Sequence, residues 1–148
     1  MTSQAVEVEP IRHTVVVRCS VGEAFRLFTD DIATWWPFKT HSYGGEDVET
    51  AIFEGRAGGR LYERQRDGTE REWGEVLEWD APNRFVLAWK ICEPTEVEVR
   101  MTAEGDATRV ELEHRGWENV DPERAAQYGG YAAGWGAVLA HFEKSIGV

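Results

Sequence analysis

The chain has 148 residues and a formal net charge of −11, from 27 acidic and 16 basic side chains. That balance argues against sequence-independent binding to nucleic acid and against anionic membrane surfaces, both of which call for clustered Lys and Arg. No run of about 18 apolar residues occurs, so no helical membrane span is expected.

Seven tryptophans are the compositional anomaly. Many large aromatics can fill a core, and they can equally line a hydrophobic cavity. The length suits one domain that buries roughly two-thirds of its unfolded surface, with residues 1–10 as a tail and 11–148 as the domain. The opening stretch MTSQAVEVEP lacks the basic and apolar regions of a signal peptide. Cys19 and Cys92 belong to no CxxC motif. A reduced, cytoplasmic setting is the expectation.

Ile11 to Arg18 is rich in β-branched residues and predicts a first strand. Ser20, with Glu23 three residues on, is placed to cap a helix whose apolar side is Val21, Ala24, Phe25, Leu27 and Phe28. A second short helical piece, DIATWW, should end at Pro37, because the residue before a proline avoids helical angles. HSYGG, residues 41–45, then reads as a loop.

From Val48 the period changes to two. Val48–Glu54, Gly59–Arg66, Glu72–Trp79, Arg84–Ile91, Thr95–Ala103 and Thr108–Arg115 are six further strands, separated by turn-forming residues. Short connections imply an antiparallel meander. A two-residue turn at Gly105-Asp106 sets Arg100 opposite Glu111, Val99 opposite Leu112 and Val97 opposite His114. One face of that hairpin is then charged, the other apolar. In Glu72–Trp79 the alternation carries Glu75 inward beside Trp73, Leu77 and Trp79, unless a bulge at Gly74 reverses it.

The spacing of Tyr128, Tyr131, Trp135, Val138, Leu139, Phe142 and Ile146 predicts a long helix over Pro122–Ile146, N-capped by Asp121. Gly129, Gly130, Gly134 and Gly136 weaken it by about 1 kcal/mol each relative to Ala, so neighbouring structure must hold it. The glycines either let a sheet approach closely or leave room for a ligand. The fold expected is α+β: a curved antiparallel sheet of about seven strands wrapped around this helix, with two short helices after the first strand.

That order, with the segments EAFRLFT, TWWPFKTHSYGG, AGGRLYERQRDGTEREWGEVLEWDAPNRFVLAW, TEVEVRMTAEGDATRVELEHRGWE and YAAGWGAVLAHF, resembles the SRPBCC helix-grip superfamily. START lipid-transfer domains, aromatic-polyketide cyclases and birch-pollen-allergen-like proteins belong to it. Within it the chain looks like the branch named after the activator of the heat-shock-protein-90 ATPase. The resemblance implies a cavity between sheet and C-terminal helix. It leaves function open, because many activities occupy this scaffold.

No HExxH, P-loop, GxSxG or GxGxxG motif occurs, and His13, His41, His114 and His141 are widely spaced. No metal or cofactor is expected. His114 shares strand parity with Val110 and Leu112. It is either a satisfied core histidine or the cavity's hydrogen-bonding or acid/base group, with Glu75, if inward, as its partner. Arg60 and Glu63 read as solvated charges on a strand.

The expected function is binding of a small hydrophobic or aromatic molecule. Trp35, Trp36, Phe53, Trp73, Trp89, Tyr131 and Trp135 would supply apolar and stacking surface, and His114 and Glu75 would orient the ligand. The alternatives are a polyketide cyclase or dehydratase using the same cavity, and a module that modulates a chaperone ATPase. A chaperone contact and a homodimer stand as further partners to test.

Overall fold

The computed structural model describes residues 9–146. Seven strands form one sheet: β1 (Ile11–Val17), β2 (Val48–Phe53), β3 (Arg60–Gln65), β4 (Glu70–Asp80), β5 (Arg84–Trp89), β6 (Thr95–Glu104) and β7 (Ala107–Arg115). Their spatial order is β1-β7-β6-β5-β4-β3-β2, and every neighbouring pair is antiparallel. The meander from β2 to β7 follows from its short turns, and β1 closes on the far side of β7 once the chain has passed through α1 (Val21–Phe28). Ser20 caps α1 by accepting the Glu23 N–H at 3.2 Å.

The hairpin register is the one the alternation predicts, with Arg100 opposite Glu111, Val99 opposite Leu112 and Val97 opposite His114. Gly105, at φ 62°, opens the two-residue turn, and Asp106 keeps a negative φ, which fits a type II′ hairpin. The sheet curves so that its apolar face meets the last helix. Trp135, Val138, Leu139 and Phe142 of that helix are buried against it. On the outer face Glu98 accepts hydrogen bonds from Arg84, Arg100 and Arg115. Burial alone would raise its pKa, yet these bonds together hold it at about 2.

Two expectations are corrected. The C-terminal helix is not continuous from Pro122: α2 (Pro122–Ala125) is followed by a turn at 126–127 and then α3 (Tyr128–Ile146). The Gln127 N–H bonds back only three residues, to the Arg124 carbonyl at 2.9 Å, which breaks the helical ladder. In β4 the inward parity does not run straight through. Leu61 pairs with Gly74 and Tyr62 with Glu72, leaving Trp73 as an extra residue; Val76 pairs with Leu87 and Glu78 with Val86, leaving Leu77. These two bulges keep Trp73 and Val76 buried and turn Glu75 and Leu77 outward. Gly74 is required at the first bulge, since a Cβ there would stand 2.9 Å from the Ala88 carbonyl oxygen.

Among the described residues no helix is long and apolar enough to cross a membrane.

Candidate functional site: an indole-lined pocket

Between the upper half of α3, the ends of β4 and β5, and the loop through residues 40–43 lies a pocket of about 530 Å³. Trp36, Trp73, Trp89, Trp135, Ile91 and Val138 form most of its wall. Thr40, His41, Ser42, Tyr43, Gln127 and Tyr131 supply its polar groups, and Ala126, Gly130 and Gly134 complete it. No Lys, Arg, Asp or Glu lines it.

All four indole N–H groups in the wall are already engaged. Trp36 donates to the His41 carbonyl at 2.8 Å, and Trp73 donates to Glu63 Oε1 at 2.8 Å. Trp89 donates to the Tyr131 hydroxyl oxygen at 3.4 Å, and Trp135 donates to His114 Nδ1 at 2.9 Å. The tryptophans therefore offer the pocket their rings and not their polar edges. They also touch one another: Trp36 lies 4.9 Å from Trp73 and Trp89 lies 5.1 Å from Trp135, centroid to centroid.

His114 stands behind this wall. It is fully buried and does not line the pocket. An indole N–H can only donate, so Nδ1 of His114 is the bare nitrogen and Nε2 carries the proton, which it donates to Thr95 Oγ1 at 2.8 Å. Thr95 donates onward to the Cys92 carbonyl. Burial pushes the His114 pKa down to about 3, so the ring stays neutral at physiological pH. It is tied to the pocket wall through the Trp135 indole N–H, which it accepts.

The other sequence-predicted residues divide. Trp36, Trp73, Trp89, Tyr131 and Trp135 come together in the pocket wall. Trp35 and Phe53 lie elsewhere in the core. Trp35 packs on Phe28 and Phe142 and donates to the Leu27 carbonyl, while Phe53 packs on Trp79 and Phe85. Glu75 is on the outer face, its carboxylate 4.0 Å from Lys90 Nζ, so it cannot partner His114.

Glu63 is the residue that sequence reading missed. It is fully buried, and its carboxylate accepts from the backbone N–H of Tyr43 and of Gly44, from Gln65 Nε2 and from Trp73 Nε1, at 2.8 to 3.0 Å. One side chain thus fixes both a wall indole and the HSYGG loop at the pocket's mouth. A signal was present, since Glu63 shares the parity of Leu61, which is also buried. HSYGG, a loop by its sequence, contributes three pocket residues.

The glycines of α3 divide by function. A Cβ at Gly130 would meet nothing within 4 Å, and one at Gly134 would touch the His41 ring at 3.5 Å, so both face the pocket. Gly136 is the close approach to the sheet: a Cβ there would stand 3.3 Å from His13 of β1, whose Nε2 donates to the Ala132 carbonyl at 2.6 Å. Among the described residues no group of three or more His, Cys, Asp or Glu is placed to hold a metal.

A curved seven-stranded sheet gripping a C-terminal helix, with an apolar pocket between them, defines the helix-grip class, a fold typical of proteins that bind lipids or other hydrophobic ligands. Residues 18–147 match the family described as "Activator of Hsp90 ATPase homolog 1-like protein", and the chain belongs to that family within the SRPBCC superfamily. Among solved structures it is similar to the self-sacrificing resistance protein CalC from Micromonospora echinospora, at 25% identity over 93% of each chain, TM-score 0.71. It is similar also to the anthrahydroquino-gamma-pyrone synthase Txn09, solved as a complex, at 32% identity over 93% of this chain and 96% of that one, TM-score 0.57. The Aha1 dimer from Colwellia psychrerythraea shares the fold at 14% identity, over 95% and 98% of the two chains, TM-score 0.67. A search of curated proteins finds no match.

Proposed function

We propose that this chain binds a small, flat, hydrophobic or aromatic molecule in the pocket between sheet and helix. The observation that carries this is the wall itself: four indoles with their N–H groups already satisfied, around about 530 Å³, with no charged side chain among them. That volume suits a ligand of two or three fused rings, and ring faces reward stacking more than they reward polar contact. Titration of tryptophan emission against bicyclic and tricyclic aromatics, with fatty acids alongside, should saturate at micromolar concentrations for the aromatics. A response that rises without saturating for every compound overturns the reading.

The 32% identity to a synthase favours a second reading, in which the same pocket shapes a reactive substrate. His114 is unsuited to carry protons in it, because both ring nitrogens are engaged behind Trp135. Turnover of a polyketide-type substrate would decide for this reading over passive binding. The chaperone-contact alternative draws only on the family's description.

A further inference from the structure

The polar side of the pocket has its own order, which gives the proposed ligand a chemical class; this inference rests on the binding reading above. Of the lining side chains with hydrogen-bonding capacity left over, Tyr43 and Gln127 are exposed to solvent, whereas Tyr131 and His41 are partly shielded from it. Tyr131 accepts the Trp89 N–H through its hydroxyl oxygen, and the hydroxyl proton has no acceptor among the described residues. Burial pushes its pKa up to about 12, so the proton stays on the oxygen. His41 is held at every other point. Its backbone N–H donates to the Pro37 carbonyl at 2.9 Å, its carbonyl accepts from Trp36, and its Nδ1 lies 2.7 Å from Thr40 Oγ1. Glu63 fixes the two residues that follow Ser42. Nε2 alone has no partner among the described residues, and Gly134 is the residue whose missing side chain accommodates that edge of the ring.

We propose that Tyr131 and His41 form a hydrogen-bonding pair that selects neutral aromatic ligands bearing both a carbonyl and a hydroxyl group. The Tyr131 O–H can only donate to the ligand, which calls for a carbonyl oxygen. His41 Nε2 serves as the acceptor for the hydroxyl when Nδ1 carries the proton and donates it to Thr40. Thr40 in turn can pass its own hydroxyl hydrogen toward the Pro37 carbonyl, 3.4 Å away. Burial, and then the neighbouring His141, lower the His41 pKa and so favour the neutral ring. With no Lys or Arg in the lining, a carboxylate or phosphate would lose its hydration without a counter-charge, so the hydroxyl is a phenol or an enol and not an ionised acid.

Tetralin, 1-tetralone and 5-hydroxy-1-tetralone are three probes of nearly equal size that carry neither, one, or both of these groups. Titrated into the full chain, they should bind with affinity rising by about tenfold at each added group. Tyr131→Phe should erase the gain from tetralin to 1-tetralone, and His41→Phe the gain from 1-tetralone to the hydroxylated probe. The readout is the ratio between successive probes within each variant, which cancels any change in tetralin affinity from the lost Trp89 acceptor or the altered ring and so separates selection from a structural role. Equal affinities for the three probes in the wild-type chain, with tetralin bound, would overturn the pair and leave the pocket standing. A variant that weakens all three probes alike would likewise overturn its residue's part. If none of the three binds, the binding reading itself falls, and this inference with it.

Discussion

His114 keeps Nδ1 bare because the Trp135 indole can only donate to it, and protonation would set two donors against each other inside the core. The consequence is a pH dependence above the carboxylate range. The unfolded chain takes up a proton near pH 6.5, whereas the folded one resists until about pH 3. Stability is therefore complete above about pH 6.5 and is lost as pH falls toward 3, at up to about 1.4 kcal/mol per pH unit. Urea unfolding at pH 7, 6 and 5 should show this slope in the wild-type chain. In His114→Gln the slope should be shallower by about one proton, even though the variant starts less stable. Equal slopes would mean that His114 takes up its proton at the same pH in the folded and unfolded chain. Glu63 shows the complementary solution at the same scale, a buried carboxylate facing four N–H donors. By charge alone Glu63 reads as a solvated strand residue, and only the fold supplies the donors that bury it, two of which come from a loop about twenty residues earlier.

At the scale of elements, α3 must do two things that its glycines separate. It has to pack on β1, where Gly136 lets His13 reach the Ala132 carbonyl, and it has to leave space over the indoles, where Gly130 and Gly134 carry no side chain. Substitution should therefore act differently at the two kinds of position. Gly130→Ala places a methyl in open space and should stabilise the chain by up to about 1 kcal/mol through helix propensity. Gly136→Ala meets the His13 ring at 3.3 Å and should gain less or lose stability. Gly130→Leu should fold as well as Gly130→Ala yet lower 1-tetralone affinity by at least tenfold, because the side chain occupies the pocket. Urea unfolding and fluorescence titration check the two halves, and unaltered affinity in Gly130→Leu would mean that the ligand lies elsewhere. The periodicity of the apolar residues fixed the existence of this helix, whereas its start was misplaced: Asp121 does cap a turn, but the chain bends at 126–127 before α3 begins.

For the whole molecule, the pocket is built from segments distant in sequence: the 36–43 loop, β4, β5 and α3. A ligand that bridges them binds only the folded state. At a hundred times its dissociation constant it should stabilise that state by about 2.7 kcal/mol. For a chain of this length that is roughly 5 to 10 °C in Tm. A thermal melt with 5-hydroxy-1-tetralone at that excess should show the full shift in the wild-type chain and about half of it or less in Gly130→Leu, whose affinity is at least tenfold lower. A shift of equal size in both would indicate binding outside the pocket.

The alternation of the hairpin from Thr95 to Arg115, the Gly105-Asp106 turn and the helical spacing after Tyr128 determined the fold, because each is a local pattern with one low-energy reading. Alternation and helical spacing also put Trp73, Trp89, Tyr131 and Trp135 on the strands and helix that carry them, whereas Trp36, expected in a short helical piece, lies beyond the helical turn at Ile32–Thr34. What the tertiary structure alone decided is which side of the wall each group occupies. Two bulges in β4 turned Glu75 out to Lys90 and kept Trp73 in; Gly74 marks the first as an option in the sequence, but whether the ladder slips there depends on the partner strands. His114 points inward as its parity requires, yet Trp135 closes over it, so an inward histidine became a support and not a ligand contact. The polar face fell instead to His41 in a loop without period, since a loop side chain's direction depends on what its backbone is tied to, here Glu63 and Trp36.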